Sequence, residues 1–224
     1  MNKTYYDKMS KKDYEEYKKI QIKMWEIKKE KRRNMLEYAY VALQIKEEIL
    51  NHSDKLEMIC LGARNNHERD EFEHILSLRG CKNVNVYSLD ISPDAEVDYH
   101  YDFGSLPKEW SNRFDIIYTN AADHSFDFEK CLLEWQRIMK PTGVFVLGIA
   151  DQDMIYDNEK QTTPKPCAHG CTIFDPSAVS TISKEHFNET LFLPRSTQKF
   201  EVNNELTEYF TNYHYWFNYG KIKE

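Results

Sequence analysis

The sequence predicts an α/β fold: a sheet of about seven strands, mostly parallel, layered with helices and preceded by a helical extension. Three observations carry this expectation. From residue 55 to residue 150, short apolar runs alternate with amphipathic stretches, the order that builds a parallel sheet. Residues 13–50 contain neither glycine nor proline and repeat apolar positions at three- and four-residue spacing, a helical pattern. The composition, 41% hydrophobic with 14% aromatic over 224 residues, furnishes a core for one domain of ordinary size and excludes wholesale disorder.

The elements follow in order. Asp13 to Leu50 reads as helix, with Tyr14, Tyr17, Ile20, Met24, Ile27, Leu36, Tyr40, Leu43 and Ile49 on the apolar spacing and a break near Asn34. Within it runs Lys28-Lys29-Glu30-Lys31-Arg32-Arg33, either the solvated face of a surface helix or an arm that caps a substrate site or grips a partner. Met58 to Leu61 is the first strand and ends at Gly62; a polar amphipathic stretch runs to Leu78, with Gly80 as its C-cap. Val84 to Leu89 is the second strand, ending at Asp90, and Val97 to Tyr101 the third, ending at Asp102. Phe114 to Thr119 is the fourth. Phe128 to Met139 is a helix stopped by Lys140-Pro141-Thr142-Gly143, and Val144 to Ile149 is the fifth strand. Residues 151–175 form a long loop rich in Pro, Thr, Asp and Lys, a length that in compact domains is often functional. Asp175-Pro176 starts a helix. Phe187 to Leu193 and Leu206 to Tyr219 read as the last strands. The division expected is an extension over 1–54 and a main domain over 55–224.

Charge and composition exclude several classes. The longest apolar run, Val144 to Ala150, is too short to span a bilayer, and Met1 to Lys12 lacks the apolar region of a signal peptide. The five cysteines, Cys60, Cys81, Cys131, Cys167 and Cys171, are scattered rather than spaced as a disulfide framework, so a cytoplasmic chain is expected. Net charge is −7, but residues 1–34 hold 12 basic and 6 acidic side chains, leaving −13 on the remainder. Such an acidic body is a poor partner for nucleic acid, whose binding rests on phosphate neutralisation.

Ligands of open α/β sheets bind beyond the carboxyl ends of the parallel strands. The residues there are Gly62-Ala63-Arg64-Asn65-Asn66, Asp90, Asp102-Phe103, and Asn120 to His124. The dinucleotide fingerprint G-x-G-x-x-G fails, with Arg64 and His67 at its second and third glycine positions. Asn66 is the residue expected to supply a left-handed backbone. Asp90 either accepts from a ribose diol or caps a turn, and Asp102 either accepts from an adenine amino group or begins a turn with Gly104.

The order of these motifs resembles class I S-adenosylmethionine-dependent methyltransferases, over residues 58–149. The most specific part runs from Phe114-Asp115-Ile116-Ile117-Tyr118-Thr119-Asn120 through Asp123-His124-Ser125-Phe126-Asp127 to Arg137-Ile138-Met139-Lys140-Pro141-Thr142-Gly143, similar to the family's fourth strand, its following loop and helix, and its R-x-L-K-P-G-G turn. Val84 to Pro93 is similar to V-x-G-x-D-x-S-P, and Leu61 to Glu68 to a variant, L-G-x-R-x-G-x-E, of the glycine-rich motif. The resemblance implies a Rossmann-like doubly wound sheet with an antiparallel C-terminal strand. It implies S-adenosyl-L-methionine as cofactor, held by Gly62, Ala63, Arg64 and Asn66, by Asp90 with Ile91 at the ribose, by Asp102 and Phe103 at the adenine, and by Asn120 beside the sulfonium. Arg64 either pairs with the methionyl carboxylate or packs against Glu68. His124, with a reference pKa of about 6.5, is the natural base for a hydroxyl acceptor and Asp123 its orienter; otherwise His124 only pins the loop.

The loop after the fourth strand lacks the [DN]-P-P-[YF] signature of many nitrogen-directed enzymes and the Pro-Cys of cytosine C5 enzymes, which favours a small-molecule hydroxyl acceptor, with a sugar or nucleotide-sugar leading. Cys167-Ala168-His169-Gly170-Cys171 is too cramped for the usual zinc sites, so no metal is expected, and His169 is read instead as a substrate contact on a lid. The aromatic tail Tyr209 to Tyr219 packs one side on the core; its other side forms either a dimer surface or a stacking wall. The rival functions are a macromolecular (RNA or protein) methyltransferase that uses the basic arm and a non-catalytic module with this fold.

Overall fold

The computed structural model describes residues 11–30, 34–51, 55–150, 174–202 and 205–222. The 13–50 pattern folds as three helices: α1 (Lys11–Lys28), α2 (Met35–Gln44) and α3 (Glu47–Leu50). The break falls where expected. Asn34 caps α2, its side-chain oxygen accepting from the Leu36 amide at 2.9 Å. β1 (Leu56–Leu61), α4 (His67–Leu78), β2 (Val84–Asp90), a two-residue β3 (Tyr99–His100), β4 (Phe114–Thr119), α5 (Phe128–Ile138) and β5 (Met139–Ala150) then alternate. α6 (Pro176–His186) starts behind the Asp175 cap, and β6 (Phe187–Leu193) follows it.

Seven strands form one sheet in the order β3-β2-β1-β4-β5-β9-β6, where β9 is Tyr213–Lys221. The pairs from β3 through β5 are parallel, and β9 alone runs antiparallel, to both β5 and β6. Strand alternation sends residues to two cores. Ile59, Leu61, Phe145, Leu147 and Trp216 join the cluster built with Phe128, Leu132 and Trp135 of α5 and Val179 and Ile182 of α6. Met58, Cys60, Val144, Val146, Tyr215 and Phe217 join the opposite cluster, with Tyr38 and Val41 of α2, Ile49 of α3 and Phe72 of α4. The sheet is thus doubly wound, and the order reverses between β1 and β4.

Three expectations need correction. The 206–219 stretch is not one strand: it divides into β8 (Glu205–Phe210) and β9, and β8 pairs with β7 (Thr197–Val202), which the sequence did not predict, as a separate antiparallel hairpin. Second, Tyr215, Trp216 and Phe217, on alternating faces of an internal strand, are all fully buried, so this part of the tail packs on the core on both sides, while Phe210 of β8 is exposed. Third, β5 begins at Met139 rather than Val144, because Met139 already pairs with Phe114 before an irregularity restores the register at Ile116.

The turn between β8 and β9 is set by a buried carboxylate. Glu37 of α2, fully buried, accepts from the Tyr215 hydroxyl at 2.6 Å, the Asn212 amide at 3.0 Å, the Asn212 side chain at 3.1 Å, and the Tyr209 hydroxyl. Removing it strands several donors at once. Glu37→Ala is expected to lower unfolding free energy by about 3 kcal/mol, read from urea denaturation, with the signal concentrated in the tyrosine environment.

No described helix is long and apolar enough to cross a membrane.

Candidate functional site

The carboxyl ends of β1, β2 and β4 meet at the order reversal, where ligands of such sheets bind. A cavity opens there. Gly62, Arg64, Asp90, Ile91, Asp102, Phe103, Asn120 and His124 all line it, so residues expected from four separate loops converge on one space.

The loop after β1 explains how a glycine-poor turn stays open. Gly62 has φ +75°, and a Cβ placed on it would stand 2.6 Å from the Ala121 Cβ, so only glycine fits. The second left-handed residue is Arg64, at φ 62°, and not Asn66, which lies in the right-handed region at the start of α4. Arg64 is held there by its own backbone: its N–H donates to Asp90 Oδ2 at 3.0 Å and its carbonyl accepts from Trp25 Nε1 at 2.8 Å. Asn66 turns away, its side-chain oxygen accepting from Ser88 Oγ at 2.6 Å, and it lines a separate groove. Ala63 is buried and donates its N–H to the Leu89 carbonyl; it lines a smaller recess of about 250 Å³. Neither Ala63 nor Asn66 lines the main cavity.

Asp90 takes one backbone donor on each carboxylate oxygen, Ser92 on Oδ1 at 2.8 Å and Arg64 on Oδ2. Burial pushes its carboxyl above the usual carboxylate range, against the opposing pull of those two amides. Asp102 accepts from the Gly104 amide at 2.9 Å and from the Tyr14 hydroxyl at 3.2 Å. Phe103 is packed edge-on against Trp135, whose Nε1 donates to the Phe103 carbonyl at 3.0 Å. Asn120 is tied beneath the cavity: its Nδ2 donates to Glu68 Oε1 and to the Tyr118 hydroxyl, each at 2.8 Å. Glu68 thus binds Asn120 and Tyr38.

Asp123 and His124 stand in a single 3-10 turn, Ala122–His124. His124 Nε2 lies 3.5 Å from Asp123 Oδ2, and Nδ1 is hydrogen-bonded to the Tyr17 hydroxyl. His169 and the Cys167–Cys171 segment lie outside the described residues. Cys60, Cys81 and Cys131 are buried, and burial pushes their thiols up, away from nucleophilic use. Among the described residues no group of three or more His, Cys, Asp and Glu side chains is placed to hold a metal ion.

Sequence reasoning missed the roof. Tyr14, Tyr17, Lys18, Gln21 and Trp25 of α1 line the cavity opposite the strand ends. They share one helical face, at spacings of three and four. α1 is pinned to three of the loops, through Tyr14 to Asp102, Tyr17 to His124, Trp25 to Arg64, and the Lys29 carbonyl accepting from the Asn65 side chain at 2.7 Å. α1 thus lies over the cavity, while residues 31–33 of the basic run lie outside the described residues. The signal in the sequence was five aromatic or polar residues repeated on the face where an ordinary core helix carries leucine and valine.

No family model and no curated protein matches the chain. Solved structures match it at low identity. A protein of Thermotoga maritima described as a SAM-dependent methyltransferase, possible histamine N-methyltransferase, matches with a TM-score of 0.51 at 15% identity, over 84% of this chain and 89% of that one. A candidate methyltransferase from Bacillus halodurans C-125 matches with a TM-score of 0.50 at 13% identity, over 76% and 94%. The CMeT domain of the citrinin polyketide synthase matches with a TM-score of 0.50 at 12% identity, over 73% of this chain but only 45% of that one. These are likenesses of fold.

Proposed function

We propose, from the class I methyltransferase fold that this chain has, that it binds S-adenosyl-L-methionine and transfers the methyl group to a hydroxyl of a small molecule. The observation that carries this reading is the convergence of Gly62, Arg64, Asp90, Asp102, Phe103, Asn120 and His124 on one cavity at the order reversal of the sheet. The donor set fits the cofactor's chemistry. Asp90 and Asp102 offer carboxylate acceptors to ribose hydroxyls and an adenine amino group. Phe103 offers an apolar wall, and Arg64 a cation for the methionyl carboxylate.

The cofactor, when bound, supplies an electrophilic methyl group on a sulfonium: the acceptor oxygen forms the new C–O bond while the C–S bond breaks and leaves its electron pair on sulfur. The chain's own work is then positioning and proton removal. α1 covers the cavity on the side opposite the strand ends. When the His124 imidazole is neutral, Asp123 beside Nε2 favours the tautomer with the proton on Nε2 and a lone pair on Nδ1, the nitrogen hydrogen-bonded to Tyr17. A base within the site suits a hydroxyl acceptor, which must lose its proton as it is methylated.

The test is methyl transfer from methyl-tritiated S-adenosylmethionine, offered in parallel to methyl α-D-glucopyranoside, 4-methylphenol, an amine (histamine) and a mixed-sequence RNA, at low and high salt. Label in a hydroxyl compound, insensitive to salt, is expected. Label confined to RNA and lost at high salt, or confined to the amine, contradicts the reading.

A second result bears on the loop. Arg64→Gly relieves the left-handed strain, which costs about 1 kcal/mol, while removing the cation. The variant is expected to unfold at equal or higher urea but to bind S-adenosylhomocysteine about tenfold more weakly; unweakened binding would assign Arg64 a purely conformational role.

A further inference from the structure

Resting on the reading above, we propose that the Tyr17 hydroxyl of α1, and not the His124 ring, is the group that meets the acceptor, and that it relays the acceptor's proton to His124. A neutral imidazole has one N–H and one bare nitrogen. The Asp123 carboxylate, with Oδ2 3.5 Å from Nε2, favours the tautomer that holds the proton there and leaves the lone pair on Nδ1. In that tautomer the Tyr17 hydroxyl, hydrogen-bonded to Nδ1, is the donor. The nitrogen that would serve as base is therefore taken by the chain's own phenol. An acceptor in the cavity meets the lone pairs of the Tyr17 oxygen instead.

Three features fix that oxygen. Tyr17 is only 7% exposed, although it belongs to an N-terminal helix. Its ring is stacked on Tyr14 at 6.1 Å between centroids and 19° between planes, and Tyr14 is wedged against Phe126 at 4.8 Å. Tyr17 and His124 line the same cavity as Gly62 and Asn120. In the relay, the acceptor O–H bond breaks and its proton bonds to the Tyr17 oxygen, while the proton Tyr17 held moves to His124 Nδ1. The acceptor oxygen keeps the electron pair that forms its new bond to carbon. One proton has moved in net, and the resulting imidazolium faces the Asp123 carboxylate, which stabilises it. The site is thus completed by α1, and a chain without it keeps His124 but has lost the contact atom.

The first test needs no acceptor. Full-length protein carrying ¹⁵N-histidine is saturated with S-adenosylhomocysteine, and the His124 signals are identified by their loss in His124→Asn. The expected spectrum shows Nε2 protonated and Nδ1 bare and hydrogen-bonded, with Nδ1 alone moving toward its free-imidazole position in Tyr17→Phe. A protonated Nδ1, or one indifferent to Tyr17→Phe, overturns the proposal. The second test is turnover of 4-methylphenol and methyl α-D-glucopyranoside. Tyr17→Phe is expected to lower kcat by about 10²-fold and to flatten the pH dependence, with KM for S-adenosylmethionine changed less than about twofold. The double variant Tyr17→Phe/His124→Asn is expected to be no slower than the slower single one, because both act in one relay. Unchanged kcat with a raised KM would make Tyr17 a pin for α1 and overturn the relay. Failure of the wild-type chain to bind S-adenosylhomocysteine would instead sink the cofactor reading on which this rests.

Discussion

Asp90→Ala is expected to weaken S-adenosylhomocysteine binding by about 10²- to 10⁴-fold. Each hydrogen bond from a ribose hydroxyl to a carboxylate is worth about 1.5–3 kcal/mol, and Asp90 is placed to accept two, at about 1.4 kcal/mol per tenfold in affinity. The substitution also releases the Arg64 amide, which Asp90 Oδ2 holds at 3.0 Å, so the loop after β1 loses a restraint as well as the site an acceptor. Asp90→Asn, which keeps the shape and one acceptor oxygen, is expected to fall between wild type and Asp90→Ala. The pH dependence has a definite sign. Burial raises the Asp90 carboxyl above the usual range, so it takes up its proton at higher pH than an exposed aspartate as the solution is acidified. Affinity for the cofactor is therefore expected to be full at neutral pH and to decline on acidification earlier than an unperturbed carboxylate would allow. In Asp90→Asn that decline is expected to disappear. Isothermal titration across pH reads both effects.

His124→Asn carries the second large effect. It is expected to leave S-adenosylhomocysteine affinity within about threefold of wild type while lowering turnover of a hydroxyl probe by about 10²- to 10⁴-fold, the usual range for a lost general base. The separation follows from position. The ring nitrogens of His124 are engaged by Tyr17 and Asp123, whereas Asp90, Asp102 and Arg64 are the lining residues assigned to the cofactor. Asparagine retains a hydrogen-bond partner for Tyr17 but cannot hold the transferred proton. Unchanged turnover would remove His124, and with it the relay, from the chemistry.

Much of the fold was legible because buried parallel strands read as nearly unbroken apolar runs. Met58 to Leu61, Phe114 to Thr119 and Val144 to Ile149 are such runs, and helix starts at Asp127 and Asp175 carry their own caps. The site residues after the strands were legible for a related reason: the end of a parallel strand fixes where its next side chains go. What was not legible depended on partners distant in sequence. The stretch from Leu206 to Tyr219 alternates without glycine or proline, and the turn that divides it is held by Glu37, 175 positions from Asn212. β7 has no apolar run of its own and pairs only with β8. Arg64 takes a conformation its residue type disfavours because Trp25 and Asp90 grip its carbonyl and amide, neither of which neighbours it in sequence. The same holds for α1: its spacing announces a helix, but not that Tyr14, Tyr17 and Trp25 face a cavity instead of a core.

The shortage of glycine bears on the central claim. With 7 glycines in 224 residues, the loop after β1 has one where this fold commonly has three, yet the backbone at Gly62 and Arg64 adopts the two left-handed positions needed to keep the cavity open. Whether that loop holds the cofactor is decided by one measurement, calorimetric titration of S-adenosylmethionine and S-adenosylhomocysteine into the full-length chain at neutral pH. One-to-one binding of both is predicted, weakened by Asp90→Ala in the same experiment. Absence of binding by either ligand to the folded wild-type chain would contradict the account.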